Sequence, residues 1–368
     1  MTLKVDTITD VAGTGAPNIT DGVTVAGTAL ASVPQMQYTA SASEPSSPQD
    51  GAVWWDTGNE KIYYYVNNGW YEISSTAPPQ PYFGGRGLFG GGYTNAPQNV
   101  IDYVTISTTG NATDFGDLTA GTSWLAGCSG GGRGLFGGGY ISGFVNVDTI
   151  AYVTISTTGN AVDFGDLTVA RTNLASCSDG TYGLFGGGST GSDSNVIDYV
   201  TIDTTGNAVD FGDLTLARRQ LASCSNGTYG LFGGGRTSSV SNVIDYVTIA
   251  TTGNAVDFGD LTVARANLAS CSDGTYGLFG GGFDSGRFDV IDYVTIATPG
   301  NAVDFGDLTI TKANMGSCSD GTYGLFGGGV TIIAQNTIEY VTVSSPGNAV
   351  DFGDLTLGRQ ELTSLSGD

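Results

Sequence analysis

The sequence predicts an all-β protein: a six-bladed β-propeller over residues 82–368, closed by its C-terminal strand, after an extended N-terminal arm (1–42), a small aromatic-rich β-module (43–75) and a proline-rich linker (76–81). Three observations predict it. The string Gly-Leu-Phe-Gly-Gly-Gly begins at Gly87, Gly134, Gly183, Gly230, Gly277 and Gly324, at intervals of 47, 49, 47, 47 and 47 residues. Each interval holds four short β-rich runs parted by Gly, Asn and Asp turn chemistry, the pattern of a four-stranded antiparallel meander. The first copy lacks its opening run, and the end of the chain supplies one.

The four runs can be followed in one repeat. Strand A is Leu221-Ala-Ser-Cys224, strand B Tyr229-Gly-Leu-Phe-Gly-Gly234, strand C Val243-Ile-Asp-Tyr-Val-Thr-Ile249 and strand D Ala255-Val-Asp-Phe-Gly-Asp-Leu261. A sheet that is apolar on both faces cannot bury itself, whereas six such sheets packed radially can, leaving only short, protected edges. The copy near Tyr82 starts at strand B. Residues Gly358–Asp368 align with Ala170–Gly180, a strand A that ends where the missing one is needed. A ring locked by its last strand follows, since a linear stack has no use for that half-repeat.

Composition agrees and narrows the function. Sixty glycines, 18 tyrosines and 16 phenylalanines suit turns and strands rather than helices. A formal net charge of −23 opposes nucleic acid, whose phosphates are met by clustered Lys and Arg. No apolar run approaches a membrane span, and Met1–Ala40 has neither the basic start nor the hydrophobic stretch of a secretory signal. The chain has no histidine, which removes Ser-His triads and imidazole ligands. Cys128, Cys177, Cys224, Cys271 and Cys318 recur once per repeat, with Leu365 as the sixth equivalent, so they read as small buried residues on separate blades and not as a disulfide or metal set. The acid pairs Asp114/Asp117, Asp163/Asp166, Asp210/Asp213, Asp257/Asp260, Asp304/Asp307 and Asp351/Asp354 read as turn or inter-blade hydrogen-bonding groups, because one active site does not need six copies. No catalytic residue, metal or cofactor is expected.

The unit resembles a kelch repeat: a strand ending in a glycine doublet (Leu184-Phe185-Gly186-Gly187), a Tyr-containing strand (Asp198-Tyr199-Val200), an aromatic strand (Val209-Asp210-Phe211) and an Arg before the next strand (Arg218). Phe stands where the family's last strand usually has Trp. Upstream, Asp50-Gly-Ala-Val-Trp-Trp-Asp-Thr57, Tyr63-Tyr-Tyr65 and Gly69-Trp70 resemble the N-terminal parts of tail-fibre and appendage proteins of tailed phages. That resemblance implies a virion protein of tail or capsid, held by its arm to other virion structural proteins, homo-oligomeric and as a fibre trimeric, which contacts a host-surface glycan or protein. The alternative it leaves open is a capsid or tail decoration or connector protein with a purely structural propeller.

Comparing the copies predicts a presenting face. B-to-C and D-to-A loops must share one side and A-to-B and C-to-D turns the other, because antiparallel strands alternate in direction. The turns are nearly invariant (Ser178-Asp-Gly-Thr181, Ser225-Asn-Gly-Thr228), whereas the B-to-C loops diverge from Tyr93–Asn99 through Phe283–Asp289 to Val330–Asn336. The D-to-A loops vary too, from Thr122-Ser-Trp124 to Arg171-Thr-Asn173, Arg218-Arg-Gln220 and Lys312-Ala-Asn314. Variable loops on a rigid scaffold suit recognition. The expected ligand-binding residues are Tyr93, Trp124, Tyr140, Phe144, Arg236, Phe283, Arg287 and Phe288. Both ends of the repeat region fall on the invariant side, so the variable face is expected to point away from the arm.

Overall fold

A computed structural model describes residues 84–367 continuously and, before them, short stretches between residues 3 and 72. All the regular elements among the described residues are β-strands. The chain divides into two compact units, Met1–Ala77 and Pro78–Asp368. The predicted linker 76–81 lies outside the described residues.

In the first unit, Leu3–Lys4, Thr24–Val25 and Thr28–Ala29 pair as a small sheet, and Ile8–Thr9 pairs with Asn18–Ile19. A four-stranded sheet follows in the order Tyr38–Ser41, Val53–Asp56, Lys61–Val66, Gly69–Glu72. Its first pair is parallel, so Tyr38–Ser41, assigned to the arm from sequence, belongs to the module's sheet. The Trp54 ring stacks on Tyr63 at 5.0 Å and meets Trp70 edge-on at 5.7 Å, and its indole N–H donates to the Ser41 carbonyl at 3.1 Å. Aromatic area thus supplies what so few strands otherwise lack.

The second unit is the six-bladed propeller. Five blades run A-B-C-D in chain order, as in Ala222–Ser225, Tyr229–Gly233, Val243–Thr248 and Val256–Asp260. The first blade is composite: Arg86–Gly90, Val100–Thr105 and Thr113–Asp117 take Thr363–Gly367 as their strand A. The register runs from Arg86 opposite Gly367 to Gly90 opposite Thr363, with Leu365 facing Leu88 as Cys177 faces Leu184. The A strands pack side by side around the axis.

Each core lies between blades, because a strand sends alternate side chains to opposite faces. Ile197, Phe211 and Leu184 of the third blade meet Phe232, Val247 and Ile249 of the fourth, all nearly or fully buried. The glycine string makes this approach possible. A Cβ on Gly186 would sit 2.6 Å from the Phe232 ring, and the same Gly-to-Phe contact repeats from Gly90 on Phe136 round to Gly327 on Phe89. Closure is therefore sterically complete. The backbone closes it again at the rim: the Asp213 N–H donates to the Asn254 side chain of the next blade at 3.1 Å and the Ala255 N–H to the Asp213 carbonyl at 2.8 Å, a clamp that recurs around the ring to Asp354 and Asn111. The second aspartate of each pair makes these inter-blade bonds with its main-chain N–H and carbonyl; the carboxylate, expected from the sequence to be the hydrogen-bonding group, takes no part in them.

Candidate functional site at the channel mouth

The first residue of each B-to-C loop bridges to the D-to-A connection leading into the same blade: Tyr93 to Gln360, Tyr140 to Ser123, Ser189 to Thr172, Arg236 to Arg219, Phe283 to Ala266 and Val330 to Ala313. The two loop sets therefore form one face. The opposite face carries the repeated turns, in which Asp179 Oδ1 accepts the N–H groups of Thr181 and Tyr182 at 2.8 and 2.7 Å. Short side chains that satisfy their own backbone leave little reason for change there.

These bridges alter the predicted residue set. Tyr93, Tyr140, Arg236 and Phe283 are drawn to the root of their loops and half-buried, as are Trp124, Arg287 and Phe288; Phe144 is the one that stands clear, at 81% exposure. Its ring lies 5.6 Å from Tyr140, and the Arg287 guanidinium lies 5.9 Å from the centre of the Phe283 ring. Sequence reasoning passed over Ile332 and Ile333, which are 94% and 70% exposed at the tip of the sixth blade's loop. Two adjacent large aliphatics in a loop were the available signal.

The D-to-A connections need a larger correction. Arg171, Arg218 and Lys312, read as part of the variable display, are fully buried. Arg265 shows why: Nη1 donates to Asp292 Oδ2 at 2.9 Å and Nη2 to the Phe279 carbonyl at 3.0 Å, while the Thr262 hydroxyl holds Asp292 Oδ1 at 2.5 Å. The cation pins the connector to strands B and C of the blade it enters. Burial lowers each arginine's pKa and the facing carboxylate raises it again in part. Arg171–Asp198, Arg218–Asp245 and Arg359–Asp102 repeat the pair, and Lys312–Glu339 replaces both members together. At the remaining connection the pair is absent, with Thr122 and Ala151 in its place.

Two residues beyond each clamp, the connections meet at the axis. The N–H of Asn173 donates to the Trp124 carbonyl at 2.9 Å, Gln220 to Asn173 at 2.8 Å, and Asn267, Asn314, Glu361 and Trp124 continue the circle at 2.9 Å each. All six residues are left-handed, with φ between 56° and 62°. They rim a cavity of about 150 Å³ at the end of the central channel, above a second tier that includes Ser176, Ser223, Ser270 and Ser317. Asn accepts this conformation readily, but Trp, Gln and Glu do not. Asn173 Oδ1, Gln220 Oε1, Asn267 Oδ1 and Asn314 Oδ1 are shielded from solvent without a hydrogen-bond partner. Glu361 lies opposite this amide arc in composition: the Tyr140 hydroxyl donates to its Oε2 at 3.4 Å. Burial pushes Glu361 up to about 7, against the Ser123 and Tyr140 hydroxyls, which pull it down. Burial likewise raises Tyr140, helped by the Glu361 charge.

Further down the channel the five cysteines are buried and unpaired. Each sulfur packs where a strand-B glycine of a neighbouring blade leaves room, Cys177 against Gly230 for instance, and Leu365 does the same against Gly134. Burial pushes the Cys128, Cys224 and Cys318 thiols up to about 12, so they are inert packing groups. Among the described residues no cluster of three or more His, Cys, Asp or Glu side chains is placed to hold a metal. No protein-family model and no curated protein sequence matches the chain.

Proposed function

We propose that this chain is a structural protein of a tailed-phage virion, a tail fibre or appendage, whose kelch-like propeller recognises a host-surface receptor with its variable face. The observation that carries the reading is the contrast between the faces of one ring. Packing accounts for the repeated turns, yet it does not account for Phe144, Ile332 and Ile333, which stand in solvent at the tips of loops whose roots are fixed by backbone bridges. Exposed apolar groups on a rigid frame serve contact with a partner. The arm and module resemble phage appendage proteins, which supports anchorage to other virion proteins and a homo-oligomer. The lack of histidine and the sixfold repetition of the acid pairs support a binding protein over an enzyme.

Binding of the full chain to bacterial cells and to an array of bacterial surface glycans tests this. Replacing Phe144, Ile332 and Ile333 together by Ser is expected to weaken cell binding at least tenfold. Undiminished binding by the variant, or none by either protein, overturns the reading.

A further inference from the structure

We infer that the channel mouth is a binding site for one ring of a neutral sugar, held between Trp124, Glu361 and the arc of amides Asn173, Gln220, Asn267 and Asn314. This rests on the receptor-recognition reading above and names both the ligand class and the place.

The rim carries a cost that the fold does not require. Six connections adopt one left-handed turn and one closed circle of backbone hydrogen bonds. Glycine or asparagine would serve every position, since neither is strained there. Asn fills three positions, but Trp124, Gln220 and Glu361 occupy the others at φ 56°, 60° and 62°. A strained backbone kept under a large side chain points to a use for that side chain.

The side chains then divide the rim into two chemistries. Four amides line this cavity; their oxygens are turned away from it and unpartnered, a costly placement that a half-turn of each amide relieves by bringing the oxygen to the cavity. An amide both donates and accepts, so it matches hydroxyls, which do the same. Serine hydroxyls lie one tier below. On the other side stand an indole, which can cover the C–H face of a sugar, and the carboxyl of Glu361, a strong acceptor when ionised. The sector is built as a unit: the Trp124 N–H bonds the Glu361 carbonyl, and Tyr140, bridged to Ser123, holds the carboxyl.

Size and charge choose among ligands. A cavity of about 150 Å³ has room for on the order of five waters, or for a single sugar ring in their place. It is too wide for one bare cation, which needs six to eight converging oxygens at roughly 2.3–2.6 Å and here finds one carboxylate. A net charge of −23 and Glu361 itself disfavour acidic sugars. Neutral, hydroxyl-rich rings remain.

The test uses the full chain with free glucose, galactose, N-acetylglucosamine and rhamnose, and with N-acetylneuraminic acid and calcium chloride as contrasts, followed by calorimetry and by indole fluorescence. Trp124→Gly relieves backbone strain and Asn267→Gly introduces none, so both keep the fold while removing the groups in question. At least one neutral sugar is expected to bind, and each variant to lose about tenfold or more in affinity, the scale of one buried hydrogen bond or stacking contact. The Phe144, Ile332 and Ile333 loop variant keeps this binding. Sugar or array binding that survives both glycine variants but fails in the loop variant overturns the mouth site and leaves the recognition reading standing. A response to calcium or to the acidic sugar alone also overturns it. No binding of any free or arrayed sugar or cell by the parent chain overturns both.

Discussion

Two kinds of junction hold this ring together, and they divide it unequally. Among the described residues five connections bury a cation against a carboxylate, whereas the connection from the first to the second blade has Thr122 and Ala151 in their place. The backbone does not register the difference. The Gly92 N–H reaches the Thr122 carbonyl at 2.9 Å just as the Gly139 N–H reaches that of Arg171 at 2.9 Å. Labour is divided between them: main-chain bonds and Gly-to-Phe contacts set the geometry of every junction, and the ion pairs are side-chain fillings of it. Both members change together where they change at all, as Lys312 with Glu339 and Thr122 with Ala151. That is the pattern expected when one buried charge without the other is the damaging state.

The sharpest way to break the comparison is to create that state. Asp292→Ala leaves the guanidinium of Arg265 fully buried with only the Phe279 and Val263 carbonyls as partners. The expected loss is about 3–5 kcal/mol of unfolding free energy, read from the guanidinium chloride midpoint at pH 7. Asp292→Asn, which can still accept from Thr262, is expected to lose less. If Asp292→Ala costs no more than a surface substitution, the pairs are not what fills these five junctions.

The next effect belongs to Glu361, which follows the Arg359 pair in the chain but turns its carboxyl to Tyr140 and Ser123 at the junction without a pair. Glu361 titrates at about 7 in the folded chain against an ordinary 4.5, so folding favours its protonated form. Its stabilising influence is fully present below about 4.5 and is lost as pH rises through 7, the reverse of a salt-bridged carboxylate. Glu361→Gln removes this dependence. The variant is expected to gain on the order of 1–3 kcal/mol over the parent above pH 7.5 and nothing near pH 4, measured as the difference between their unfolding curves across that range. A constant difference at all pH values shows that the carboxyl is not desolvated in the rim.

What the sequence disclosed and what it hid follow the same line. The repeat, the composite first blade and the buried cysteines were legible because they depend on spacing and residue size, which survive in every copy. The clamps were half legible. Arg218 stands out as a repeat feature, yet the partner change from Asp198 and Asp245 to Ala151 does not, because the cation sits in a connection whose neighbours vary. The rim was not legible at all. A left-handed residue is announced by Gly or Asn, and Asn173, Asn267 and Asn314 gave that hint, but Trp124, Gln220 and Glu361 at the same turn concealed it. The display of Tyr93, Arg236 and Phe283 was overestimated for a related reason: a bridge formed by main-chain groups leaves no mark on side-chain identity.

The smallest effect sharpens the comparison from the other side, by giving the first junction what the others have. Thr122 and Ala151 are 8% and 4% exposed, so either single change buries an unpaired charge there: Thr122→Arg a guanidinium, Ala151→Asp a carboxylate. Each is expected to destabilise by about 2 kcal/mol or more. The double variant differs, because the backbone around it already matches the other connections and Thr119 stands where Thr262 supports Asp292. Its stability is expected to fall within about 1 kcal/mol of the parent, with a favourable coupling of about 3 kcal/mol between the two sites. Near-neutrality is the point, since a well-bonded buried pair roughly balances its own desolvation against its attraction. Single variants whose losses simply add in the double variant would mean that this junction is shaped differently, and that its Thr and Ala answer to the neighbouring Trp124 and Tyr140 rather than to the common geometry.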